Sequence, residues 1–145
     1  MVAVPQYERF AKIVGRWKTE GEILGAENRR IHGTDTYEWL QDGYFVIHWI
    51  DVMMGEEHVR EVEIIGPFDP GSATFPMRTF GAGGSYAEMT GKFDEDGAIL
   101  AEDKQSRTRL VVSEDRSGME AHWERRGDDD DEWTPWLDVT FKKEV

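Results

Sequence analysis

No cysteine occurs among the 145 residues. Its absence removes disulfides, thiolate metal centres and cysteine nucleophiles, and suits a reducing compartment. Long apolar runs are missing too. The longest, Tyr44–Ile50, contains His48 and falls far short of the ~20 residues needed to cross a bilayer as a helix. The N-terminal Met1–Pro5 carries no basic segment leading into an apolar run, so no signal peptide is expected and the expected location is cytoplasmic. Positive charge is scarce: 17 Lys and Arg stand against 30 Asp and Glu, a formal net charge of −13. Nucleic-acid binding needs clustered Lys and Arg to release counterions. The adjacent basic pairs here are Arg29-Arg30 and Arg125-Arg126, and the second runs at once towards Asp128–Glu132. Nucleic acid and anionic membrane surfaces are therefore not expected partners. A Gly-x-Ser-x-Gly elbow, a phosphate loop and a dinucleotide fingerprint are also lacking, which leaves hydrolase, kinase and dehydrogenase readings without support.

What the chain does have is aromatic bulk and alternation. Six Trp, seven Phe and four Tyr supply core material for one domain over residues 1–145. Pro5–Val14 spaces Tyr7, Phe10, Ala11 and Val14 as a short amphipathic helix, expected to cap one end of a barrel. Thereafter turn signals recur about every 8–12 residues, the spacing of an all-β sandwich or barrel. Strands are expected over Lys18–Leu24, Ala73–Phe80, Ser85–Phe93, Ala98–Asp103, Ser106–Ser113, Gly118–Arg126 and Trp133–Lys143, around a three-stranded meander at Gly33–Ile65.

That meander can be read in register. Asp42-Gly43 supplies the positive backbone angles of a two-residue hairpin loop. Trp39 then faces Val46, Tyr37 faces His48 and Asp35 faces Ile50. Directly opposed residues share a sheet face, so Tyr37, Trp39, Val46, His48, Ile50 and Val52 form the more apolar and expected interior side. With Gly55-Glu56 as a second two-residue loop, Val52 faces Val59, Asp51 faces Arg60, and His48 faces Glu63 with Glu61 beside it. A one-residue slip would invert the faces.

Several segments together resemble a known family. Gly15-Arg16-Trp17, Gly43-Tyr44-Phe45 with His48 and Asp51, Glu63–Gly66 and the terminal Trp133–Thr140 look like a DUF1579-type, lipocalin-like family of uncharacterised, mostly bacterial proteins, over nearly the whole chain. The resemblance implies an antiparallel, calycin-like barrel of about eight to ten strands, with the Trp of Gly-x-Trp packed across its closed end. It carries no established catalytic residues. Nitrobindin-like haem barrels are related in shape, but their haem-ligand segment has no match to any His here.

The candidate ligand-binding residues are Tyr37, Trp39, His48, Glu63, Arg78, Tyr86, Trp123 and Trp136. A buried His48–Glu63 pair would raise the imidazole pKa and serve proton transfer or ligand orientation, or be a core pair serving packing alone. Arg78 and Arg109 fall inside strand patterns. Inward, either would clamp a carboxylate; outward, each is a solvated charge. Asp128–Glu132 lacks the alternation and glycine turn of a calcium loop and reads as a solvated hairpin tip. The aromatics either line a pocket or fill the barrel. Four scattered His without paired spacing give no reason to expect haem or zinc, and no cofactor is expected. Three functions follow: a barrel binding a small, largely apolar molecule; a cofactor-independent isomerase, cyclase or hydratase with His48 and Glu63 as acid and base; or a filled barrel acting through its surface, with a homodimer as one form.

Overall fold

The structure, a computed structural model, describes residues 5–25, 27, 29–129 and 131–144, with residues 5–7 described as backbone only. The Tyr7 side chain and Asp130, both used above, lie outside the described residues. Helix α1 spans Pro5–Phe10 and is followed by ten strands: β1 Gly15–Ile23, β2 Arg29–Trp39, β3 Val46–Met54, β4 Glu57–Ile65, β5 Phe75–Gly81, β6 Tyr86–Phe93, β7 Ile99–Glu102, β8 Ser106–Val112, β9 Gly118–Arg125 and β10 Thr134–Lys143. Each strand pairs antiparallel with its sequence neighbours, and β1 pairs with β10 from Trp17↔Lys143 to Ile23↔Leu137, so the sheet closes on itself. The expected all-β barrel is the observed one, at ten strands. Closure removes the unpaired edges that an open sheet would expose.

The expected register of the meander also holds: Trp39↔Val46, Tyr37↔His48, Val52↔Val59 and His48↔Glu63 are all paired. The first turn is wider than expected. Leu40 N–H donates to Phe45 O at 2.9 Å, leaving residues 41–44 as the loop. Asp42 and Gly43 do take positive φ, 77° and 74°. The helix is shorter than residues 5–14, because residues 11–13 form a turn.

One end of the barrel is plugged. Trp17 is fully buried, and its indole N–H donates to Ile13 O at 2.8 Å, tying β1 to the segment after α1. Phe10 packs edge-on against Phe75 and Phe93, each with ring centroids 4.9 Å away. Such tilted aromatic pairs add to the burial of large rings. Gly91 is opposite Phe75, and a Cβ there would collide with the Phe75 ring, so the strand passes under the ring only as glycine. A second apolar cluster, Ile31, Val52, Leu137 and Val139, lies further along the barrel.

Candidate functional site

Between the plug and the far end lies a cavity of about 450 Å³. It runs from Ile13 at the plugged end to Met54 and Glu57, which flank the β3–β4 turn at the other. Its two sides differ. Strands β6 to β10 contribute Met89, Ile99, Leu110, Trp123, Leu137 and Phe141 among others, an almost wholly apolar wall. Strands β1 to β5 contribute a polar arc.

That arc is one hydrogen-bonded chain, with one residue from each strand. Thr19 on β1 donates its hydroxyl to Asp35 Oδ2 on β2. His48 on β3 bonds Asp35 Oδ1 through Nε2 at 2.6 Å and Glu63 Oε1 on β4 through Nδ1 at 2.9 Å. Thr79 on β5 donates to Glu63 Oε2 at 3.2 Å. Thr19, Asp35, His48 and Glu63 are all buried. The Tyr37 ring lies flat on the imidazole, with centroids 3.9 Å apart and planes 12° from parallel.

The electrostatics follow from this geometry. Burial opposes charging of His48, but the hydrogen bonds and charges of Asp35 and Glu63 outweigh it and raise its pKa from 6.5 to about 9. At neutral pH the ring is an imidazolium donating from both nitrogens, so neither nitrogen has a lone pair for a metal or for a substrate proton. Glu61 is pushed up, first by burial and then by the charge of Glu63. Burial and the two nearby carboxylates hold the Tyr37 phenol well above its ordinary value. Among the described residues, the Tyr37 hydroxyl and the Glu61 carboxylate make no hydrogen bond or ion pair, although both residues line the cavity and Tyr37 is only 6% exposed. A buried tyrosine hydroxyl ordinarily has a partner.

Of the eight residues expected at the site, the structure brings Tyr37, His48, Glu63, Trp123 and Trp136 to the cavity. Three are corrected. Arg78 points outward, since β5 turns Phe75, Met77 and Thr79 inward and the residue between the last two must face out. It pairs with Glu88 at 3.8 Å on the surface. Tyr86 is 55% exposed and donates its hydroxyl to Glu88 Oε2 at 3.0 Å. It ends an outward apolar row of opposed residues, Trp49, Val62, Phe80 and Tyr86. Trp39 shares the inward parity of Tyr37, but it lies beyond the cavity, edge-on to Phe10 at the plug. Arg109 is exposed and pairs with Asp94 at 2.8 Å.

Asp35, Thr19 and Thr79 complete the arc and were not anticipated. For Asp35 the signal was present, because its pairing with Ile50 gives it the parity of Tyr37 and His48. Trp136 and its neighbour Leu137 both line the cavity, although simple alternation would put them on opposite faces. The cause is a register shift between Pro135 and Leu137, a bulge that turns the extra residue inward. Among the described residues, no cluster of acids and His is arranged to hold a metal ion, and no helix is long and apolar enough to cross a membrane.

A family model described as protein of unknown function (DUF1579) matches residues 3–142. Among solved structures, the crystal structure of Rv2717c from M. tuberculosis is similar in fold, with a TM-score of 0.74 over 99% of this chain and all of that one, at 9% sequence identity. No match was found among curated proteins.

Proposed function

The chain belongs to the DUF1579 family, and from that premise we propose that it is a binding protein that holds one small, largely apolar molecule inside its barrel. The observation that carries this reading is the cavity itself. At about 450 Å³ it falls within the roughly 300–1,000 Å³ typical of small-molecule sites, which are likewise mostly apolar with a few fixed polar groups. A barrel packed solid, the surface-acting alternative, would leave no such space. The reading is lipocalin-like in plan: Trp17 seals the base of a closed antiparallel barrel, and the ligand occupies the interior.

The same observations favour binding over acid–base catalysis. A general base must present a free nitrogen to a substrate proton, and both His48 nitrogens are held by carboxylates. With a pKa near 9, the ring stays protonated at neutral pH. Its role is to hold two buried carboxylates in place, so that they present an ordered polar arc to the ligand's polar end.

Native mass spectrometry of protein purified from its own host tests the proposal, with the mass repeated after denaturation. An adduct of a few hundred daltons that is lost on unfolding is the expected result. A bare chain, together with failure of the folded protein to take up any apolar compound from a small-molecule panel, would overturn it.

A further inference from the structure

The charges lining the cavity are one-sided. Asp35, Glu57, Glu61 and Glu63 line it, His48 is the one basic residue that does so, and no Lys or Arg appears among the lining residues. Even with His48 protonated, acidic residues outnumber basic ones along the lining, from buried Asp35 and Glu63 to half-buried Glu61 and exposed Glu57. Low local dielectric makes such an excess act strongly on whatever enters. Two groups there are also unused. Glu61 has no ion-pair partner, and the buried Tyr37 hydroxyl has no hydrogen-bond partner among the described residues. The Asp35 and Glu63 oxygens accept from His48, Thr19 and Thr79, yet a carboxylate has about four acceptor sites, so each keeps spare acceptor capacity. This spare acceptor capacity therefore suits a donor that carries positive charge. The opposite wall, from Met89 to Phe141, asks only for apolar surface.

We propose that the cavity selects an organic cation, a primary or secondary ammonium on an apolar body, with its charge among the lining carboxylates on the side of Glu61 and its apolar part against Trp123, Leu110 and Phe141. This rests on the binding function proposed above and names its substrate class. Fatty acids and other carboxylates are disfavoured by the same charges, since they would bring like charge into a site that already has too much.

The test is calorimetric titration at pH 7 with three compounds of matched chain, n-heptylammonium, n-heptanol and n-heptanoate, against the wild type and Glu61→Gln. Glu61 is only half-buried and supports no neighbour, so the substitution leaves the barrel folded. The expected order is ammonium, then alcohol, then carboxylate, with roughly tenfold between the first two, as a single charge interaction at a partly desolvated site provides. In Glu61→Gln the ammonium weakens several-fold while the alcohol is unchanged. Equal affinity for all three compounds, or preference for the carboxylate, overturns the charge selectivity and leaves the apolar binding function standing. An ammonium affinity that is the same in both proteins overturns the placement beside Glu61. Failure of all three to bind, while the wild type still takes up a neutral apolar compound from the panel above, overturns the cation proposal alone; failure of the whole panel overturns the binding function itself.

Discussion

Replacing His48 by Phe isolates the charge within the polar arc. The substitution keeps a flat ring against Tyr37, where the imidazole now stacks at 3.9 Å, and removes both donors. Asp35 and Glu63, each less than 10% exposed, are then two buried like charges without their shared cation. Removing one partner of a buried ion pair costs about 3–5 kcal/mol. An independent route gives a similar size. A rise in His48 pKa from 6.5 to about 9, at 1.36 kcal/mol per unit, corresponds to about 3 kcal/mol of folding free energy. The sign is fixed: the folded state holds the proton more tightly, so the contribution is complete below pH 6.5 and fades as pH rises through 9. Wild-type stability should therefore fall between about pH 6.5 and 9. Asp35, Glu63, Glu61 and Tyr37 face the ring, and Tyr37 begins to titrate only above that window because its pKa is raised. In His48→Phe that decline should vanish. Urea unfolding followed by circular dichroism at pH 5, 7 and 9 would measure both effects. A loss below about 1 kcal/mol at pH 7, with the wild-type pH profile retained, would refute the reasoning, since an exposed or hydrated pair contributes no more than that.

Four further outcomes are expected. Tyr37→Phe removes a hydroxyl that has no partner among the described residues, so ligand-free stability should change by less than about 0.5 kcal/mol, against about 1 kcal/mol for a bonded hydroxyl. Gly91→Ala drives a Cβ into the Phe75 ring and should destabilise by about 1–3 kcal/mol in thermal or urea unfolding. Trp17→Ala opens the plug and loses the bond to Ile13, with an expected cost of about 3–5 kcal/mol in the same assay. Arg78→Ala removes surface contacts with Glu88 and Tyr86 and should leave both stability, within about 0.5 kcal/mol, and ligand affinity unchanged.

The sequence made the barrel readable because local chemistry and long-range pairing agreed. Gly55, with φ of 63°, and the Asp42-Gly43 pair mark turns, and counting outward from them reaches His48↔Glu63 without any tertiary information. The count was right even where the loop was wider than expected, since a symmetric widening leaves the opposed pairs unchanged. Parity, however, tells only which face a residue is on. It could not say that Trp39 falls below the cavity among the plugging rings, because height along the barrel depends on strand stagger and closure. Nor could it follow β10 past Trp136, where a bulge breaks the alternation. The facing of Arg78 and Tyr86 is out of reach of the pattern for a different reason. Their strands, β5 and β6, lie beyond the long 66–74 connection, so no short turn carries the register of the meander across to them. Asp35 was hidden by its neighbours, as a polar Gly33–Thr36 segment resembles a strand leaving the core. It takes the fold to bring Thr19 to one oxygen of Asp35 and His48 to the other.

The central claim, that the interior is a site for an apolar ligand, is tested most directly by filling it. Ala121 is buried on the apolar wall and lines the cavity, so Ala121→Phe places a ring in the space without touching the polar arc. Titration with the neutral fluorophore N-phenyl-1-naphthylamine should saturate at one molecule per wild-type chain with a blue-shifted emission. In Ala121→Phe, its barrel verified by circular dichroism, the affinity should drop by roughly tenfold or more, the loss of about 1.4 kcal/mol or more of apolar contact. Equal affinity in the two proteins would place the dye on the outer surface and contradict the account.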